Sequence, residues 1–233
     1  MILRHLHCPG LTSYAVASKL QEGLVKTFLA HKASPAIVAA PSPTIITAQF
    51  QPVYTCGRRE IGTVSVQQQD HLRGDGEAEF FEAMRGGQTT FHGPGQLIAY
   101  PIIDLKQHAL TPKAYVCLLE KSLIKTCTHY GIATMTTEHP GVWTTPNSKI
   151  AALGIHLRRN VTSHGIGLNV STDLRWFDRI VACGLEGKKT TSFENEGTGG
   201  RTVTEIGDVF VTNFAAALTG VSGVEKTQPP ARG

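Results

Sequence analysis

Residues 141–171, GVWTTPNSKIAALGIHLRRNVTSHGIGLNVS, hold three successive strand-like runs: GVWTT, KIAALGIHL and VTSHGIGLNVS. Their apolar periodicity is near two, and β-branched residues alternate with small ones. Strands that follow one another without an intervening helix exclude a regular βαβ array. They predict an α+β fold, a mixed sheet flanked by helices.

The flanks agree. On the N-terminal side, 12–31 reads as a helix that Thr12 or Ser13 can cap, with Ala17, Leu20, Leu24 and Phe28 on one face. Residues 44–50 and 52–57 read as short strands broken at Pro52, and LIAYPIIDL (97–105) as another. The polar stretch 65–79 reads as an exposed loop. A helix opens at Thr111-Pro112 and stops at Gly131. On the C-terminal side, LRWFDRI (174–180) is a short helical piece and ENEGTGG (194–200) a loop. A last helix starts at the capping box Thr202–Glu205 and ends near Gly220. One domain over 1–222 is expected, with a disordered tail over 223–233.

Composition narrows the function. The 233 residues are 41% hydrophobic and only 17% charged, with a net charge of +4. A core of that size and a balance that mild exclude a disordered chain and a nucleic-acid binder with a strong basic footprint. No apolar run is long enough for a membrane span. The five cysteines, Cys8, Cys56, Cys117, Cys127 and Cys183, show no CxxC spacing, so neither a disulfide framework nor a zinc site is expected. Arg4, Lys19, Lys26 and Lys32 against one acid, Glu22, could belong to an import signal, but read better as the first helix.

Chemistry concentrates in three places. Arg85-Gly86-Gly87-Gln88-Thr89-Thr90-Phe91-His92-Gly93-Pro94-Gly95-Gln96 has four glycines in twelve residues, which lets a ligand lie against the backbone. It fits neither a Walker loop nor GxGxxG. Cys183, between an apolar run and Gly184, could be a nucleophile if a cation lowers its pKa; Lys149, His92, His164, Lys188 and Lys189 all qualify by type, and spacing does not choose. A small buried core thiol is the commoner fate of a cysteine. Lys149 opens the apolar strand KIAALGIHL, and on pattern alone it reads as a solvated strand end. His164 precedes Gly165-Ile166-Gly167, again combining a histidine with residues that permit close approach.

Taken in order, PVYTCGRR, RGGQTTFHGPGQLIAYP, PGVWTTPNSKIAALGIHLRR, VTSHGIGLNV and LRWFDRIVACG resemble the successive blocks of the lipoyl(octanoyl) transferase family over nearly the whole chain. The resemblance implies the fold of the biotin/lipoate protein ligase catalytic domain. It also implies transfer of an octanoyl group from acyl carrier protein to a lysine of the lipoyl domains of 2-oxoacid dehydrogenases and the glycine-cleavage H protein. On the matching positions Cys183 would carry the acyl thioester, and Lys149 would lower its pKa and relay protons. Acyl contacts would fall on Arg85, Gly86, Gly87, Gln88, Thr89, Thr90, Phe91 and His92, on Ala152, Leu153 and Gly154, and on Gly165, Ile166 and Gly167. No metal or cofactor is implied, and a monomer is expected. Ala182 stands where the family usually has proline, and Ser163 where an aromatic is common; neither removes a reacting group.

Ile150, Leu153, Ile155 and Phe91 are the type of wall an eight-carbon chain wants, and its six methylenes would contribute about 5 kcal/mol. Arg58-Arg59, Arg158-Arg159 and Lys188-Lys189 would dock an acidic carrier protein or be ordinary surface. The longer 65–79 stretch favours a mitochondrial protein over a bacterial cytoplasmic one. The rival activity is an ATP-dependent lipoate or biotin ligase; a non-enzymatic module that holds lipoyl domains is the third reading.

Overall fold

The computed structural model describes residues 1–180 and 187–229. In chain order its elements are β1 (Ile2–Thr12), α1 (Tyr14–Ala33), β2 (Thr44–Phe50), β3 (Val53–Cys56), α2 (Val66–Arg73), β4 (Glu79–Glu82), β5 (Thr90–His92) and β6 (Gln96–Ile102). There follow α3 (Pro112–His129), β7 (Val142–Thr145), β8 (Ser148–Arg158), β9 (Val161–Asn169), β10 (Lys189–Thr190), α4 (Val203–Ala217) and β11 (Gly223–Thr227).

The main sheet runs β10-β8-β9-β6-β2-β1-β11, with β7 also paired to β8. β1 is parallel to β2 and to β11, whereas β2-β6, β6-β9 and β8-β9 are antiparallel, so the sheet is mixed. A second sheet, β4-β3-β5, carries the strand that leads into the glycine-rich segment. This is the α+β architecture that residues 141–171 predict.

Side-chain alternation sets the layers. Ile45, Leu97 and Ala99 point to one face, into a core shared with α3 and α4. Ile46, Ile98 and Tyr100 point to the other, against Val25 and Phe28 of α1. Thr111 caps α3, its hydroxyl accepting from the Ala114 N–H at 3.1 Å, and the Thr202–Glu205 capping box starts α4.

Three expectations are corrected. Residues 65–79 are not one loop: Val66–Arg73 is helical, opened by a capping box between Ser65 and Gln68. Its helical face buries only Leu72, so it lacked the apolar period that marks a helix. Residues 223–227 are not a disordered tail but strand β11, parallel to β1 and tied to α4 by Lys226 and Asp208. The inward face of α1 is Tyr14, Ala17, Gln21, Val25 and Phe28, with Leu20 and Leu24 only flanking it. Gln21 turns inward because its Oε1 accepts the backbone N–H of His164 at 2.5 Å.

Candidate active site

β8 and β9 form the floor of the site. Their register pairs Ala152 with Gly167, Leu153 with Ile166 and Gly154 with Gly165, so much of the floor is bare backbone. A Cβ on Gly154 would meet Arg85 Cδ at 3.0 Å and the Gly86 carbonyl oxygen at 3.1 Å; one on Gly167 would meet the Gln96 Oε1 at 3.2 Å. The glycines of the two strands therefore let the 85–96 segment close down on them. The Gly86 N–H completes the contact, donating to the Ile155 carbonyl at 3.0 Å.

Between floor and segment lies a cavity of about 380 Å³. Of the residues expected at the acyl group, Arg85, Gly87, Gln88, Thr89, Thr90, His92, Ala152, Leu153, Gly154, Gly165, Ile166 and Gly167 line it. Lys149 lies at its edge and also lines a smaller cavity of about 30 Å³ beside it, with Trp143, Phe177 and Asn169.

Two expected contacts lie elsewhere. Gly86 does not line the cavity, because its backbone is spent on the β8 edge. Phe91 is fully buried on the opposite side of β5, stacked on Trp176 at 4.9 Å and packed against Tyr54 and Phe177. Successive strand residues face opposite ways, so Thr90 and His92 look into the cavity and Phe91 cannot. Ile150, Leu153 and Ile155 all pack on the helix-side core, and of that group only Leu153 also borders the cavity.

Lys149 is not a solvated strand end. It is 8% exposed, its Nζ donates to the Pro140 carbonyl at 3.1 Å and lies 4.5 Å above the Trp143 ring. A buried ammonium needs such partners.

Cys183 lies outside the described residues. The described cysteines are free thiols. Burial pushes the Cys8 and Cys56 thiols up and Cys127 to about 12, which disfavours the thiolate at all three.

Arg85 is buried, and its guanidinium is used within the protein. Nε and Nη2 donate to Thr55, Nη2 reaching the carbonyl at 2.5 Å, and Nη1 donates to the carbonyls of Gly86 and Gln88 at 3.0 and 2.9 Å. The fork braces the loop, and its charge reaches the cavity. Burial first, and Arg85 second, lower His92 to about 4 and His164 to about 3, so both rings are neutral at physiological pH.

Residue patterns missed Arg59, Tyr100, His139 and Pro140, which also line the cavity. Nothing local to them signals a pocket; they converge from three separate segments. His164, singled out as a histidine beside glycines, sits in the left-handed region at φ 55°, held there by Gln21. Of the basic pairs, Arg158 is held by Glu22 and Lys188 by Asn147, whereas Arg59 lines the cavity.

Gly57 tests how closely the segment is packed. A Cβ there would lie 1.8 Å from the Gly87 carbonyl oxygen, although its φ of −82° suits any residue. Gly57→Ala must shift backbone 85–88. The expected cost is about 1–3 kcal/mol in urea unfolding. An unchanged unfolding midpoint would show that the loop yields freely.

The catalytic-domain model for lipoyl protein ligases A and B matches residues 13–215. The chain is 53% identical over 188 residues to a Schizosaccharomyces pombe protein named "Probable octanoyltransferase", covering 80% of this chain and 83% of that one. It belongs to the lipoyl(octanoyl) transferase family. It is 41% identical to the mitochondrial octanoyl-[acyl-carrier-protein]:protein N-octanoyltransferase of Danio rerio, covering 80% of each. Family membership makes it an enzyme of the acyltransferase class. Among solved structures it superimposes on lipoate-protein ligase A bound with ATP, with a TM-score of 0.66 over 97% of this chain and 90% of that one, at 11% identity. At that identity the likeness is one of fold.

Proposed function

We propose that this chain transfers an octanoyl group from octanoyl-acyl carrier protein to a specific lysine of lipoyl domains, through a thioester on Cys183. The observation that carries the reading is Lys149, buried at the edge of a slot whose floor is glycine backbone. A flat strand floor admits an unbranched chain, and a buried lysine supplies a proton carrier where the chain's reactive end lies.

In the first half-reaction the Cys183 thiolate attacks the donor thioester carbonyl. The donor's C–S bond breaks, and its thiolate takes up a proton. In the second half-reaction the acceptor lysine's amine attacks the new thioester. The C–N bond forms, the Cys183 sulfur leaves with its bonding pair, and the proton shed by nitrogen passes by way of Lys149 to that sulfur. Lys149 also favours the thiolate at the start, because a nearby cation stabilises the charged form. Both steps begin from a thioester, so no ATP is consumed.

The acceptors proposed are the lipoyl domains of 2-oxoacid dehydrogenase E2 subunits and the glycine-cleavage H protein, which makes this the first step of endogenous protein lipoylation. The mitochondrial names of the animal and yeast relatives support a mitochondrial setting.

Intact-mass analysis tests the reading. The protein is mixed with octanoyl-acyl carrier protein and an apo lipoyl domain without ATP, alongside Cys183→Ser. The expected result is octanoylation of the lipoyl domain by the wild type, a hydroxylamine-labile adduct on the wild type, and neither with the variant. Modification that appears only with ATP and free octanoate or lipoate would overturn transfer in favour of ligation.

A further inference from the structure

His92 is one end of a buried chain of hydrogen bonds. Its Nδ1 pairs with Gln96 Oε1 at 2.7 Å, Gln96 Nε2 with Asn169 Oδ1 at 2.8 Å, and Asn169 Nδ2 with the Thr191 carbonyl at 3.0 Å. The Thr191 N–H in turn donates to the carbonyl of Lys149 at 2.8 Å.

Two carbonyls decide every proton in this chain. A carbonyl oxygen only accepts, so the Asn169 atom facing Thr191 is the NH₂ group, and its oxygen faces Gln96. Gln96 must therefore present its own NH₂ to Asn169. The same nitrogen also faces the Phe91 carbonyl at 3.4 Å, which requires the same orientation. Gln96 Oε1 is then left for His92, and it accepts only. The hydrogen between them belongs to His92 Nδ1. A neutral imidazole carries one N–H, so Nε2 is a bare lone pair. Burial, and after it Arg85, keep the ring neutral, and Phe50, edge-on at 6.0 Å, fixes its plane.

His92 lines both cavities, and so does Lys149. A bare nitrogen cannot donate to the carbonyl of an acyl group. The acyl chain offers no N–H, whereas the amine that enters to attack it does. We propose that His92 Nε2 accepts an N–H of the entering lysine amine and aims its nitrogen lone pair at the thioester carbon, with Gln96 and Asn169 as positioning residues that lock the tautomer.

The inference rests on the acyltransferase reading above. In the step concerned, the amine nitrogen bonds to the carbonyl carbon and the C–S bond breaks. The sulfur departs with the pair, and the proton lost by nitrogen ends on sulfur. His92 holds the second N–H throughout and gains no net proton. Its contribution is orientation of the nucleophile.

Two measurements on the full chain test this. The first is tautomer: imidazole ¹⁵N shifts of ¹⁵N-histidine-labelled protein, assigned by loss of signal in His92→Asn. Neutral His92 protonated on Nδ1 at pH 7 is expected, and that signature is expected to vanish in Gln96→Leu. A proton on Nε2, or a signature indifferent to Gln96, would overturn the lock.

The second is turnover with octanoyl-acyl carrier protein and an apo lipoyl domain. Asparagine reproduces only the Nδ1 donor, whereas a glutamine oxygen reaches the place of Nε2. His92→Asn is expected to lower kcat by about 10- to 100-fold, the range of one lost hydrogen bond to a group developing charge, and His92→Gln to restore part of it. Equal kcat for the two variants would sink the acceptor role. Failure of the transferase reading is distinguishable: the wild type would then transfer nothing, while the tautomer result would stand by itself.

Discussion

Lys149→Ala is expected to lower octanoyl transfer by about 10²- to 10⁴-fold, the usual worth of a positioned proton carrier. The side chain is buried against Trp143 and the Pro140 carbonyl, in a place water does not refill with an equivalent base. Lys149→Arg is expected to restore charge but little activity. A guanidinium does not give up its proton near neutral pH, and its planar fork does not fit a site shaped for a compact ammonium. Single-turnover intact-mass kinetics would separate the half-reactions, and alkylation of Cys183 by iodoacetamide at pH 7 would report the thiolate. Both are expected to slow in Lys149→Ala. Melting curves for the same proteins separate lost chemistry from lost fold. A folded Lys149→Ala enzyme that turns over at the wild-type rate would remove Lys149 from the mechanism.

The second large effect is loss of stability in mild acid. Burial is the first cause that lowers His5 and His92 to about 4 and His164 to about 3. Unfolded histidines take up a proton near pH 6.5. Between that pH and about 4 the unfolded chain binds three protons that the folded chain refuses, so stability is complete above pH 6.5 and falls as pH drops. The slope from these rings is about 4 kcal/mol per pH unit at its steepest. The loss by pH 5 is about 6 kcal/mol, so a domain at the lower end of the usual range of about 5–15 kcal/mol would approach its unfolding midpoint there. Urea titrations at pH 7.5, 6.0 and 5.0 would show it as a falling midpoint at constant m-value. A midpoint that is flat over this range would mean that the three rings titrate freely in the folded state. His7 and His156 are lowered in the same direction, also first by burial, and add to the trend.

Much of the fold was legible. The strands over 141–171, the break at Pro52, the Thr111-Pro112 start and the Thr202–Glu205 box are local signals, each written within a few residues. In two of the three places where the chain defied its reading, the cause was an interaction with a distant segment. β11 is polar and exposed, and it becomes a strand because the edge of β1 offers its backbone groups. Gln21 interrupts an apolar stripe because a backbone N–H on β9 needs an acceptor. The helix at 66–73 shows its box but no apolar face.

The candidate site divides the same way. Residue type and order alone marked the glycine segment, Lys149, Cys183 and His164, because glycine backbone, an isolated lysine in an apolar strand and a histidine beside glycines stand out from their neighbours. Which of the described ones meet was decided only in three dimensions. The strand period turned Phe91 away and His92 inward. The guanidinium of Arg85, expected among the acyl contacts, is consumed by Thr55 and its own loop. The proton on His92 depends on Gln96, Asn169 and Thr191, up to 99 positions away, because a tautomer is set by the partner's lone pairs and not by the residue that bears it. Local propensity thus determined the elements and the inventory of reactive groups, whereas facing, burial and protonation are properties of contacts that exist only once the sheet has closed.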